Sequence, residues 1–146
     1  MRLKSWMLCI ATIAAVPGWA AAQTETDVTR TTAAGVFTAA QAKAGGDIYA
    51  GLCTSCHTVS SHTGVTFRKS WIGMPVSELF NYLNQSMPED APGSLSDDEY
   101  VRVIAYLLEM NDMPAGTTDL PVDEAALRLI RIDTVGSIPR QTRSRF

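Results

Sequence analysis

The strongest hydrophobic pattern lies in "LSDDEYVRVIAYLLEMN". Tyr100, Val103, Ile104, Leu107 and Leu108 follow the i, i+3, i+4, i+7 spacing of a single buried helix face. Ser96 stands before this run as an N-cap and Glu99 follows three residues later, which makes a capping box. Asp97 and Asp98 add negative charge at the positive end of the helix dipole. "PVSELFNYLNQ" (75–85) predicts a shorter helix with Leu79, Phe80 and Leu83 on one side. "FTAAQAKAGGDIYAGLC" predicts another, capped by Thr38, with Gln41 placed to complete a second capping box. Gly45 and Gly46 interrupt that alanine-rich run and cost about 1 kcal/mol each against alanine, so a second backbone is expected close by. Residues 122–131 suffice for one or two helical turns against the core. No segment alternates with a period of two for long enough to propose a sheet, and there is no internal repeat. The fold class is all-α, with three main helices.

The two ends read differently. Arg2 and Lys4, an apolar run from Trp6 to Val16, and Ala20-Ala21-Ala22 have the layout of a secretory signal peptide cut after Ala22. A membrane anchor needs roughly 20 apolar residues, and Pro17 and Gly18 end this run too early. The expected organisation is therefore a signal peptide over 1–22, a flexible threonine-rich leader over 23–36, a folded domain over 37–113, and a C-terminal extension over 114–146. The extension is expected to be partly packed and then mobile, with Arg140, Arg143 and Arg145 in its last stretch. An exported, periplasmic protein without a membrane span follows.

Charge and cysteine content narrow the chemistry. Loss of Arg2 and Lys4 with the signal peptide takes the formal charge from −3 to −5, which leaves no electrostatic footprint for nucleic acid. Cys9 goes with the same segment, so Cys53 and Cys56 are the only cysteines of the mature chain. They lie in "CTSCHTVSSH", beside His57 and His62. A structural zinc site needs four tetrahedral ligands, but Cys56 and His57 are neighbours whose side chains diverge. A thiol–disulfide switch expects an α/β context around C-x-x-C, and no strand pattern surrounds this one. A plain structural disulfide leaves His57 unexplained. Haem attachment uses all three residues: in C-x-x-C-H both thiols form thioethers with the ring and the histidine takes the iron.

With that motif the chain resembles the class I c-type cytochromes. The resemblance covers about 38–111: Gly45 and Tyr49, eight and four positions before Cys53; "CTSCH"; Met87-Pro88; and the last helix with "AYL" at 105–107. It implies one covalent haem c per chain, held by Cys53, Cys56 and His57, with the first and last helices crossing so that Gly45 lies against Tyr106. The stretch from Met87 to Gly116 further resembles cytochrome subunits and domains that serve periplasmic quinoprotein dehydrogenases. One feature of the family is missing. A Gly-Pro-x-Leu, whose proline carbonyl accepts the proximal histidine's N–H, has no counterpart between His57 and Met74.

A methionine on the sixth position raises the reduction potential and closes the iron. Met74, Met87 and Met113 each precede proline. Met87 sits in an irregular loop nine residues before Ser96, so it is the expected ligand, while Met74 and Met113 are expected to be core filler. His62, five residues from His57, is expected to be a surface loop residue. Trp71 is open to two roles, a propionate donor or a packed aromatic. The expected function is that of a monohaem electron carrier rather than an enzyme, taking electrons from a dehydrogenase to a terminal oxidase or another cytochrome. Two alternatives are a fixed haem subunit of a dehydrogenase complex and a haem sensor or enzyme with an open sixth site.

Overall fold

The computed structural model describes residues 30–134; the expected signal peptide and the arginine-rich end lie outside them. The described residues form five α-helices, two short 3-10 turns (Thr32–Ala34 and Val59–His62) and one two-residue parallel strand pair, as the all-α reading expects; the α-helices and strands are numbered separately. In chain order these are β1 (Arg30–Thr31), α1 (Ala39–Leu52), α2 (Gly64–Trp71), α3 (Val76–Ser86), α4 (Asp97–Glu109), α5 (Glu124–Arg128) and β2 (Ile130–Arg131).

The central packing is α1 across α4. Gly45 allows it, because a Cβ there would run into the backbone carbonyl of Arg102. The ring of Tyr106 lies instead against Gly46. The expected glycine–tyrosine pair is thus shifted by one residue, and Gly45 serves the closer backbone approach. From α4, Tyr100, Val103, Ile104, Leu107 and Leu108 are all buried, as their spacing requires. Ser96 Oγ accepts from Glu99 N–H at 3.4 Å, and Glu99 Oε2 accepts from Ser96 N–H at 2.8 Å. The Ser96 N–H, together with the Ser96 hydroxyl that also donates to Glu99 Oε2 at 2.8 Å, holds the Glu99 carboxyl below the usual glutamate range.

The cap of α1 is only half as expected. Thr38 Oγ1 accepts from Gln41 N–H at 3.1 Å, but the Gln41 side chain does not turn back to the cap. It bonds both backbone groups of Leu120, at 3.0 and 2.8 Å, because Gln41 is buried and a buried amide must find partners.

α2 was not legible in the sequence. Its start lacks a side-chain cap, and Gly64 sits at φ 65°. Its first free N–H is taken by Asn111 Oδ1 at 3.0 Å, from a residue far along the chain.

At the N-terminal end of the described residues the structure differs from expectation, and at the C-terminal end the expected partial packing is seen. Residues 30–36, read as flexible leader, are tied in. Thr32 Oγ1 exchanges hydrogen bonds with both backbone groups of Asp133, each 2.8 Å, and Val36 is buried. The extension runs back over the helices as a strap, burying Leu120, Leu127, Ile130 and Ile132. Ile132 closes it by bonding Gly73 N–H and Met74 C=O, each at 2.8 Å.

Candidate functional site

α1 ends where the motif begins. Cys53 N–H bonds Tyr49 C=O at 2.9 Å as the last helical bond. Cys56 N–H and His57 N–H then both turn back to Cys53 C=O, at 3.2 and 2.9 Å. This tight turn gathers Cys53, Cys56 and His57 at the wall of one cavity of about 920 Å³. That volume is near the upper end of ordinary ligand pockets, roughly 300–1,000 Å³.

Met87 lines the same cavity. It ends α3 in extended backbone, φ −133° and ψ 145°, as a residue before proline should. Its N–H bonds Leu83 C=O at 2.8 Å, and its carbonyl accepts the Tyr100 hydroxyl at 2.7 Å. The methionine loop is thus pinned from both sides, and the second pin comes from α4. Tyr100 was legible as a buried position, but its hydroxyl's partner was not, because that bond depends on how the loop and helix meet.

The competing methionines lie elsewhere. Met74 is 40% exposed, with its backbone clipped to Ile132. Met113 is buried in the core as expected of filler, and neither lines the cavity.

His62 departs from its reading as a surface residue. It is half-buried and lines the cavity, its ring centroid 4.5 Å from that of His57 and 5.9 Å from that of Tyr49. Burial, with His57 beside it, pushes its pKa down and favours the neutral ring. Its carbonyl accepts from Asn111 Nδ2 at 2.9 Å. Asn111 went unnoticed in the sequence, since an asparagine after a helix usually reads as a terminator. Trp71 also lines the cavity, stacked obliquely on Tyr82 at 5.5 Å.

The electrostatics separate the possible chemistries. Burial pushes the Cys53 thiol up, so it stays protonated at neutral pH. Thiol–disulfide catalysts need the opposite shift, toward thiolate. Among the described residues, no three histidine, cysteine or acidic side chains are grouped to hold a metal ion by themselves. The Tyr49 hydroxyl is buried in the cavity wall with no hydrogen-bond partner among the described residues, and its pKa is raised by burial and then by Cys53 and Tyr106. A buried orphan hydroxyl is rare unless something else fills the space before it. The cavity therefore joins two thiols, two imidazoles and a thioether around an apolar space lined by Phe67, Leu79, Leu83, Val103 and Leu107.

Residues 40–107 match the family model described as cytochrome c oxidase, cbb3-type, subunit III. No curated protein and no solved structure matches the chain significantly. Among the described residues no helix is long and apolar enough to cross a membrane.

Proposed function

We propose, from the premise that residues 40–107 are a c-type cytochrome domain, that this chain is an exported monohaem electron carrier with covalent haem c in the cavity between "CTSCH" and Met87. The observation that carries the reading is that Cys53, Cys56, His57 and Met87 all line that one cavity. The fold is that of a class I cytochrome c, with α1 crossing α4 behind the site.

The residues fit the group. The cavity has the volume for a large planar ligand, its walls are mainly apolar, and the Tyr49 hydroxyl has no hydrogen-bond partner among the described residues. When bound, haem supplies a one-electron Fe(III)/Fe(II) couple. Cys53 and Cys56 would hold the haem covalently through their sulfurs. His57 would hold the iron through a ring nitrogen and Met87 through its thioether. A neutral, soft sulfur favours the reduced state and raises the potential. Leu79, Leu83 and Leu107 keep water from the site, which preserves that preference. The exposed cysteine, Cys56, marks the edge where a redox partner can approach.

The matched family is named for a subunit of a terminal oxidase, which supports an oxidase as electron acceptor, while a dehydrogenase as donor rests on the resemblance of residues 87–116. The same name favours a second reading, a haem subunit fixed in a complex. Co-purification at low salt separates the two: a shuttle elutes alone, a subunit with its complex.

The covalent haem is tested by denaturing the holoprotein in acidified acetone. The colour should stay with the precipitated protein, and the Cys53→Ala/Cys56→Ala double variant should lose it. A chain that folds stably without haem would overturn the proposal, since a cofactor bound only by the native state should contribute much of its stability.

A further inference from the structure

We propose that His62 accepts the ring N–H of His57 and thereby sets how strongly that histidine donates to iron. The inference rests on the reading of His57 as an axial haem ligand. An imidazole that gives one nitrogen to a metal turns its other nitrogen, as N–H, toward an acceptor. That acceptor fixes the ring's orientation and raises its basicity. Between His57 and Met74 no proline is present to offer the expected backbone carbonyl.

His62 is placed to substitute. Its ring lies 4.5 Å from the His57 ring, centroid to centroid, with the planes at 59°. At that separation rotation of the two rings brings a nitrogen of one within hydrogen-bond distance of a nitrogen of the other, with no backbone movement. A neutral imidazole has one lone-pair nitrogen free to accept.

The surroundings hold His62 there from several directions. Asn111, itself nearly fully buried, bonds the His62 carbonyl at 2.9 Å and the Gly64 N–H at 3.0 Å. A third bond, to Leu107 C=O at 2.8 Å, anchors Asn111 to α4. Ser61 N–H and Thr63 Oγ1 stitch the same loop to Thr58 and Val59, at 3.0 and 3.1 Å. The Tyr49 ring backs His62 edge-on at 5.9 Å. A histidine that only faced solvent would need none of these. Accepting the His57 proton makes His57 a stronger donor, which favours the oxidised iron and lowers the potential.

Reduced full-length holoprotein labelled with nitrogen-15 in histidine tests this directly. A scalar coupling across the hydrogen bond, between the protonated nitrogen of His57 and a ring nitrogen of His62, is expected. In variants, His62→Phe keeps an aromatic ring but no acceptor; it should raise the potential and speed exchange of the His57 ring proton with solvent. His62→Gln retains an acceptor oxygen and should stay close to the unmodified protein in both. A resolved His57 N–H without coupling to His62 overturns the proposal, as do equal shifts, or no shift, in the two variants. The coupling measurement decides even where His62→Phe fails to fold. Absence of covalent haem from the unmodified protein would instead overturn the underlying reading of His57.

Discussion

Three methionines precede proline in this chain, and the difference between them is one of surroundings. Met87 has a pinned backbone and a place in the cavity wall, whereas Met74 is exposed and its backbone serves the strap at Ile132. Met87→Ala should keep the covalent haem, lose the thioether-to-iron band of the oxidised spectrum, lower the potential, and let the reduced protein bind CO quickly. Met74→Ala should change none of these. If the spectra of the two variants are exchanged, the ligand is Met74. At this scale the sequence was informative wherever the chemistry is local. "CTSCH" is read from spacing alone because its turn is made by its own backbone. His62 was misread because its position depends on Asn111, 49 residues away, and nothing in a five-residue separation reveals such a clamp.

Between elements, the crossing of α1 and α4 places the motif against the inner face that carries Tyr100, Val103 and Leu107. Periodicity gave α4 nearly to its ends, and it located α1 and α3 as well, because each has a buried face or a cap of its own. α2 has only Phe67 and Trp71 on its inner side and no side-chain cap of its own, and its first N–H is bonded by a distant residue. Gly45 and Gly46 of α1 separate the crossing from mere helix propensity. Gly→Ala in a helix gains about 1 kcal/mol of propensity. At Gly46 the added methyl meets the Tyr106 ring at 3.2 Å, and that partly exposed ring can give way, so Gly46→Ala should be close to neutral. At Gly45 the obstacle is the backbone of Arg102, which cannot yield without parting the helices. Overpacking of that kind costs about 1–3 kcal/mol or more, so Gly45→Ala should lower the denaturant midpoint clearly below that of Gly46→Ala. Equal midpoints would show that the crossing tolerates a wider spacing.

For the whole molecule, the extension expected to be partly packed buries side chains as far along as Ile132, well beyond residue 113. A haem-sized cavity leaves a small domain with less protein core of its own, and the strap restores part of it. Leu120, Leu127, Ile130 and Ile132 are each 3% exposed or less. Full burial of such side chains contributes about 1.5–3 kcal/mol each, a sum comparable with the roughly 5–15 kcal/mol that stabilises an ordinary domain. The strap also ties β1 to β2 and holds Met74 away from the cavity through Ile132. Its composition obscured the extent of this role: apolar residues spread among prolines, a glycine and acids show no period, and only α5 and the two-residue β2 are regular. Truncation after Met113 should therefore leave a chain that fails to accumulate as folded holoprotein, even though every proposed haem ligand remains. The milder Leu127→Ala should retain haem and its spectrum while losing about 2–5 kcal/mol of stability, read as a lower denaturant midpoint at unchanged potential. A truncated protein with the full-length midpoint would mean that the helices around the cavity hold the fold without the strap.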